Sequence, residues 1–163
     1  MIIHAGCLSL WTRRLGWRGV LVLGDSASGK SDLALRMLDL GLRLVSDDRT
    51  VVWRSGGRLF AACPAAIEGL VEARGVGVLA EASLRLTPVV LAVRCVPETQ
   101  RLPDAEITEV AGGPVPLLRL AALEASAPAK LRRAIQSLGA GPQGAYLAAA
   151  ENPHGGVPVK GRV

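Results

Sequence analysis

The feature that most constrains this chain is a glycine-rich turn between an apolar run and an amphipathic segment. Residues 24–31 read GDSASGKS and fill the pattern G-x-x-x-x-G-K-[ST]. The run before them, GVLVLG at residues 19–24, fits a strand that is buried on both faces of an α/β sheet. After the turn, apolar residues recur at helical spacing up to Leu40, and Gly41 follows where a helix C-cap favours positive φ. The sequence therefore predicts a strand, a tight loop and a helix in that order.

The residue types in this loop suit a bound phosphate. Glycines let the backbone wrap an anion and present N–H groups to it. The helix that begins near Gly29 adds a dipole end equivalent to roughly half a positive charge. Lys30 can reach outer phosphates as a point charge, and the Ser31 hydroxyl can ligate Mg²⁺. An ordinary Gly/Ser turn is the alternative, but the flanking strand and helix favour nucleotide binding. The expected nucleotide-binding residues are Gly24, Asp25, Ser26, Ala27, Ser28, Gly29, Lys30 and Ser31.

Length and composition predict one compact mixed α/β domain with more strands than helices. The chain has 163 residues, and half of them are hydrophobic, although only 3% are aromatic. A core of Leu, Val, Ile and Ala is therefore expected. We assign residues 1–138 to one domain that contains the glycine-rich loop. Residues 139–163 are rich in Gly and Pro, and we expect them to form a mobile C-terminal extension.

The remaining elements are predicted from short apolar runs and from glycine and proline positions. The predicted strands cover residues 2–11, 42–45, 50–54, 58–62 and 89–93. Pro88 introduces the last of these strands, and turns are expected at Gly112–Pro114 and at Pro116. A helix over residues 129–138 begins after Ser126.

Charge and cysteine usage exclude several classes of protein. The net charge is +5, but the basic residues are scattered and no aromatics interleave with them, which argues against nucleic acid. No apolar stretch approaches the roughly 20 residues that span a bilayer, and no secretion signal opens the chain. Cys7, Cys63 and Cys95 are odd in number and widely spaced, so neither a disulfide framework nor a zinc site is expected. We therefore expect a cytoplasmic protein.

Two aspartates end the strand that follows the predicted helix. Asp47 and Asp48 stand where a carboxylate that faces Mg²⁺ through water belongs. Adjacent strand residues point to opposite sides, so the second carboxylate can face an incoming hydroxyl and accept its proton. Two neighbouring carboxylates also raise the pKa of one of them. A solvated turn paired with Arg49 is the alternative interpretation.

Three segments in this order resemble the catalytic domain of HPr kinase/phosphorylase. They are residues 24–35 (GDSASGKSDLAL), 41–49 (GLRLVSDDR) and 72–78 (EARGVGV). The resemblance implies a P-loop-containing mixed sheet of the PEP carboxykinase-like kind, in a short form that lacks the family's N-terminal domain. It also implies an ATP- and Mg²⁺-dependent serine kinase that phosphorylates the phosphocarrier HPr and regulates carbohydrate metabolism. The same family can run the reverse reaction, in which inorganic phosphate attacks the phosphoserine.

The resemblance also assigns roles to individual residues. Lys30 would bind the phosphates, and Ser31 and Glu72 would bind the metal. Asp48 would accept the proton, with Asp47 beside it as a further metal ligand, although the sequence does not settle which aspartate takes which role.

Two further residues and the assembly are implied in the same way. His4 matches a family histidine that precedes the P-loop strand, and Arg101 matches an arginine that closes over the phosphates. A homo-oligomer, hexameric in this family, is expected. The competing interpretations are a regulatory module that binds ATP without phosphoryl transfer, a small-molecule kinase, and a basic nucleic-acid binder.

Overall fold

The computed structural model describes residues 1–138, which form a curled sheet of nine strands, a separate two-stranded hairpin and two α-helices. The strands are β1 (Ile2–His4), β2 (Gly6–Thr12), β3 (Gly16–Leu23), β4 (Arg43–Ser46), β5 (Arg49–Ser55), β6 (Arg58–Ala62), β7 (Leu70–Ala73), β8 (Gly77–Ala80), β9 (Leu86–Val96), β10 (Glu106–Glu109) and β11 (Pro114–Ala121). The helices are α1 (Lys30–Asp39) and α2 (Ala127–Ser137). Neither helix is long and apolar enough to cross a bilayer. The extension predicted for residues 139–163 lies outside the described residues.

The order of the strands places three of them parallel at the centre of the sheet. Six strands follow the order β1-β5-β6-β9-β3-β2, and β4 closes that edge. The neighbours β3 and β9 are parallel, as are β9 and β11, whereas the other pairs in the sheet are antiparallel. The carboxyl ends of parallel strands meet at one edge, which is where α/β folds bind ligands. The loops after β3, β9 and β11 therefore share the edge that carries the predicted phosphate loop.

The central strands are buried on both faces, as the apolar run at residues 19–24 predicts. In β3, Val20 and Val22 point into a core formed with the two helices, and Leu21 points into a second core on the opposite face. From α1, Leu33 and Met37 are fully buried in the first core. The mixed α/β architecture with more strands than helices is thus confirmed.

Helix α1 ends one residue earlier than its apolar pattern suggests. Leu40 is the C-cap residue and is 39% exposed, so the expectation that it shares the buried face is wrong. Gly41 takes a φ of 85°, the left-handed conformation expected of it. Helix α2 begins two residues before its predicted start, after Ser126 as expected.

The strand predicted over residues 2–11 is two strands that separate at Ala5. Strand β1 pairs with β5, whereas β2 pairs with β3 and β4. The backbone at Ala5 is held between them, because its N–H donates to the Asp48 carbonyl (3.0 Å) and its carbonyl accepts from the Thr50 hydroxyl (2.6 Å). This break brings His4 next to the aspartate turn.

Two predictions that rested on proline are wrong, and one is confirmed. Pro88, predicted to introduce a strand, lies inside β9, and Pro116, predicted to form a turn, lies inside β11. The turn predicted at Gly112–Pro114 is the bend at residues 111–113 that joins β10 to β11, and Pro114 is the first residue of β11. The ladder from β9 to β3 begins only at Val89, and the ladder from β11 to β9 begins only at Leu117. Each proline therefore precedes a ladder, in a position where its missing N–H breaks no bond on that side.

Candidate phosphate-binding and catalytic site

The loop between β3 and α1 has a backbone that requires glycine. Gly24 has a φ of 147° and Gly29 a φ of 90°. A Cβ on Gly24 would lie 2.5 Å from Ser28 Oγ and 3.2 Å from Cys95 Cβ, so a side chain there cannot be accommodated without movement. Ala27 also takes a positive φ of 63°, a strained conformation that is found at ligand-binding loops. The loop is thus a wrapped backbone of the kind that presents N–H groups to an anion.

Lys30 lies over this loop rather than in solvent. It is the first residue of α1 and is only 9% exposed. Its Nζ donates to the carbonyls of Gly24 (2.9 Å) and Asp25 (2.8 Å). Beneath the loop, the buried Ser28 Oγ lies by the Cys95 thiol, a weak partner at most, and has no hydrogen bond of normal geometry within residues 1–138. A bound phosphate would accept from the ammonium in place of the Gly24 and Asp25 carbonyls.

The two aspartates lie in a turn after β4, not on the strand itself. Strand β4 ends at Ser46, and Asp48 takes a positive φ of 62°. The prediction that strand alternation separates the two carboxylates is therefore wrong. The turn after β4 separates them. Asp47 Oδ2 accepts from the backbone N–H of Glu72 at 2.9 Å, which links the turn to β7.

The surroundings of this turn raise the pKa of Asp47. Burial raises the pKa of Asp47, and the neighbouring charges of Asp48 and Glu72 raise it further. The Glu72 N–H and the Lys30 ammonium act in the opposite direction and lower it. Because Glu72 also lines a cavity with Lys30, its hydrogen bond to Asp47 joins the acidic turn to the region of the phosphate loop.

Asp48 points to a different partner. Its Oδ1 lies 3.3 Å from His4 Nδ1, and both side chains are 57% exposed. Their backbones are fixed by the hydrogen bond from the Ala5 N–H to the Asp48 carbonyl. The result is an open carboxylate–imidazole pair that a hydroxyl group can approach from solvent, which is the geometry that a general base requires.

A cavity of ≈ 350 Å³ joins the loop to β7. It is lined by Ala27, Gly29, Lys30, Ser31, Asp32, Leu35, Glu72, Arg74 and Leu123. The structure therefore brings Ser31 and Glu72 together, with Asp47 bonded to the Glu72 backbone. Hydroxyl and carboxylate oxygens are the ligands that Mg²⁺ prefers.

These residues fit a magnesium ion that is shared with a nucleotide. Within residues 1–138, no three His, Cys, Asp or Glu side chains converge as a complete metal site. Mg²⁺ is usually held by one or two carboxylates together with water and substrate phosphates. Ser31, Asp47 and Glu72 match that incomplete donor set.

Arg101 is not brought to the phosphate loop. It lines a second cavity of ≈ 870 Å³ between the loop after β9, strand β11 and helix α2, together with Arg119, Glu124, Lys130 and Arg133. Arg119 is paired with Glu106, and Lys130 is paired with Glu124. A role for Arg101 at the phosphates stays a prediction.

Two further residues at the site belong to none of the sequence motifs. Leu123, which follows β11, lines the cavity beside Lys30. Arg36 of α1 donates to the carbonyls of Ala122 and Glu124 (3.1 Å to Glu124) and pairs with Asp32. The spacing of Asp32 and Arg36, four residues apart, predicts their ion pair, but nothing local predicts the contact with the segment after β11.

Taken together, the fold and the site define a P-loop α/β protein. The phosphate loop lies at the carboxyl end of a central parallel strand and faces an acidic turn. Among known families, the HPr Serine kinase C-terminal domain matches residues 13–84 of this chain. The predicted resemblance to HPr kinase/phosphorylase is therefore confirmed over this part of the chain.

Individual relatives agree with the family match. The chain is 44% identical over 62 residues to the HPr kinase/phosphorylase of Chromobacterium violaceum, which is 37% of this chain and 20% of that protein. It is 35% identical over 104 residues to the HPr kinase/phosphorylase of Bordetella pertussis, covering 56% of this chain and 34% of that protein. The matches thus span 20% to 34% of these curated relatives' own lengths.

A solved structure shows the same fold. The HPr(Ser) kinase/phosphatase of Coxiella burnetii superposes with a TM-score of 0.67 at 23% sequence identity. The superposition covers 82% of this chain and 92% of that chain. The predicted mixed α/β fold of the HPr kinase C-terminal domain is thereby confirmed.

Proposed function

We propose that this protein is a cytoplasmic serine kinase that transfers the γ-phosphoryl group of ATP, with Mg²⁺, to an HPr-type phosphocarrier protein. The geometry that supports it best is that Asp47 accepts from the N–H of Glu72, a residue that lines the same cavity as Lys30, while Asp48 pairs with His4. The turn that carries the solvent-accessible Asp48 is thus joined to the cavity that contains Lys30. The three cysteines are free thiols, as expected in a reducing compartment.

In this mechanism the phosphate loop binds and orients the nucleotide. Lys30 leaves the carbonyls of Gly24 and Asp25 and contacts the outer phosphates, where its charge stabilises the transferring group. Ser31, Asp47 and Glu72 would hold the Mg²⁺, which neutralises charge on the phosphates when it is bound. The chain's own contribution is therefore positioning and electrostatic stabilisation.

Asp48 acts on the acceptor. Its carboxylate takes the proton from the serine hydroxyl as the serine Oγ forms a bond to the γ-phosphorus and the bond from that phosphorus to ADP breaks. His4, 3.3 Å from Asp48 Oδ1, orients the carboxylate. In the reverse direction the protonated Asp48 returns the proton to the serine oxygen as inorganic phosphate attacks, and we propose that the chain shares this activity too.

The experiment is incubation with ATP, Mg²⁺ and a purified HPr-type carrier, read by intact mass. We expect one phosphate adduct on the carrier, which is lost with Lys30→Ala and with Asp48→Asn. Asp48→Asn should still bind ATP, because Asp48 acts on the acceptor. Asp39→Asn, an exposed carboxylate at the far end of α1, is the matched control and should keep full activity.

Two outcomes would contradict the proposal. Tight ATP binding without transfer to any HPr-type carrier would favour a nucleotide-binding regulatory module. Transfer that persists in Asp48→Asn would remove this residue from the reaction. The family resemblance also favours a homo-oligomer, which light scattering of the purified protein would measure.

A further inference from the structure

A leucine is positioned at the phosphate loop without being part of the core. Leu123 follows β11 and is 72% exposed, yet it lines the same cavity as Lys30 and Ser31. Exposure alone means little for a single apolar residue. The contacts of this leucine, however, fix it at one place beside the loop.

Its first contact is with the backbone of the phosphate loop. A Cβ added to Gly29 would lie 2.9 Å from Leu123 Cδ2 and 3.3 Å from Leu123 Cγ. The leucine side chain therefore packs directly against Gly29, the residue that precedes the first turn of α1. The N–H groups of that turn are the ones that a helix N-terminus offers to an anion.

Its second constraint comes from α1. Arg36 donates to the carbonyls of Ala122 and Glu124, the residues on either side of Leu123, and is held by an ion pair with Asp32. The segment that carries Leu123 is thus tied to the helix of the phosphate loop by hydrogen bonds, not by burial of the leucine. Arg36 sets the position of a side chain that stays open to solvent.

The segment that carries Leu123 lies where the nucleoside end of a nucleotide would be, with its phosphates on the loop. Loops after β3, β9 and β11 share the carboxyl edge of the parallel strands, where α/β folds bind ligands. Within the cavity, Lys30 supplies the charge for phosphates, whereas Leu35 and Leu123 supply its large apolar surfaces. A nucleotide likewise has a charged end and a planar nucleoside that buries apolar area.

We propose that Leu123 contacts the nucleoside, that is the base and ribose, of the bound nucleotide, and that Arg36 is the residue that positions it. This proposal rests on the nucleotide binding proposed above. One apolar contact would then make the site bind a nucleotide more tightly than a free polyphosphate. The loop and Lys30 bind the phosphates of both ligands.

The test compares two ligands with the same phosphate chain. The affinities of ATP and of inorganic tripolyphosphate, each with Mg²⁺, are measured by calorimetry for the wild type and for Leu123→Ala. We expect Leu123→Ala to weaken ATP about tenfold, which is about 1.4 kcal/mol, and to leave tripolyphosphate within about twofold. Leu123→Met, which keeps the apolar area, should restore ATP binding.

Matched variants separate the role of Leu123 from folding. Leu15→Ala removes a leucine that is 45% exposed at the other end of β3 and should change neither affinity. Arg36→Lys keeps a positive charge near Asp32 but cannot reach both carbonyls in the same way. Arg36→Lys should weaken the binding of ATP and leave the affinity for tripolyphosphate unchanged. A general loss of stability would not affect one ligand alone.

Each remaining outcome overturns the proposal. Equal loss of both ligands in Leu123→Ala would mean that the leucine only supports the loop, and no loss of ATP would mean that it makes no contact. Failure of the proposed nucleotide site itself gives a different result. In that case the wild type binds neither ATP nor tripolyphosphate, or Lys30→Ala binds both as tightly as the wild type does. Those two results would remove the phosphate site and the leucine contact together.

Discussion

Replacing Lys30 by methionine should both destabilise the ligand-free protein and abolish its response to nucleotide. The ammonium makes two hydrogen bonds, to the carbonyls of Gly24 (2.9 Å) and Asp25 (2.8 Å), and the residue is only 9% exposed. Hydrogen bonds to charged groups contribute roughly 1.5–3 kcal/mol each. Methionine keeps the buried apolar stem but has no donor, so both carbonyls lose their partner.

Water can replace part of what is lost, because these carbonyls border a cavity. We therefore expect a loss of about 2 kcal/mol in the free energy of unfolding, below the sum of the two bonds. For a domain of this size such a loss lowers Tm by roughly 4–8 °C. Removing the cation also takes away a charge that lowers the pKa of Asp47.

The nucleotide response is the sharper part of this prediction. A ligand at about 100 times its Kd stabilises the native state by about 2.7 kcal/mol. Urea unfolding with and without Mg-ATP should show this gain in the wild type and almost none in Lys30→Met. Lys130→Met, which removes an exposed lysine paired with Glu124, is the control and should keep the full gain. A Lys30→Met protein that is as stable as the wild type and equally stabilised by Mg-ATP would refute the reasoning.

Three further predictions concern the loop and the acidic turn. Because burial raises the pKa of Asp47 above its ordinary value of 3.8, the folded chain keeps this proton to higher pH than the unfolded chain, and stability falls as pH rises through that interval. The urea midpoint of Asp47→Asn should therefore increase relative to that of the wild type as pH rises from about 4 to 7. The opposite trend would contradict a raised pKa for Asp47. Gly24→Ala, at φ 147° and with its Cβ 2.5 Å from Ser28 Oγ, should cost about 2–4 kcal/mol in chemical unfolding, and a neutral change would show that the loop relaxes easily. His4→Gln should lower kcat about tenfold without changing the Kd for ATP. An unchanged kcat would mean that Asp48 does not need His4 to act on the acceptor.

The elements that could be predicted from the sequence are those that depend on residues close together along the chain. The strand, loop and helix at residues 16–39 follow from apolar period and from glycine and lysine spacing over a short segment. Strands β5 and β6 follow in the same way from the apolar runs at residues 50–54 and 58–62. In these places local propensity and the tertiary structure agree.

The parts that sequence could not supply depend on contacts between distant segments. Pro116 looked like a turn residue, but the ladder to β9 begins one residue later, and only the register of that pairing shows why proline is tolerated. Leu123 reaches Gly29 through the return of the chain after β11, a contact between residues 94 positions apart (123 − 29). The aspartates were predicted to end a strand but lie in the turn after β4, and the positive φ of Asp48 that separates the carboxylates had no local signal.

The pairing of His4 with Asp48 shows the same division. The family resemblance pointed to His4, but the sequence held no reason for it to meet the second aspartate rather than the first. The reason is the change of strand partners at Ala5, which donates to the Asp48 carbonyl and so brings β1 to the turn. Strand pairing of this kind is set by register over the whole sheet.

The most direct test of the central claim is a crystal structure with a non-hydrolysable ATP analogue and Mn²⁺, whose anomalous signal locates the metal. The account predicts phosphates on the N–H groups of residues 27–31 and Lys30 Nζ moved from the Gly24 and Asp25 carbonyls onto the ligand. It places the Mn²⁺ peak beside Ser31, on the side of Asp47. A nucleotide in the cavity around Arg101, or a metal peak far from Asp47, would contradict it.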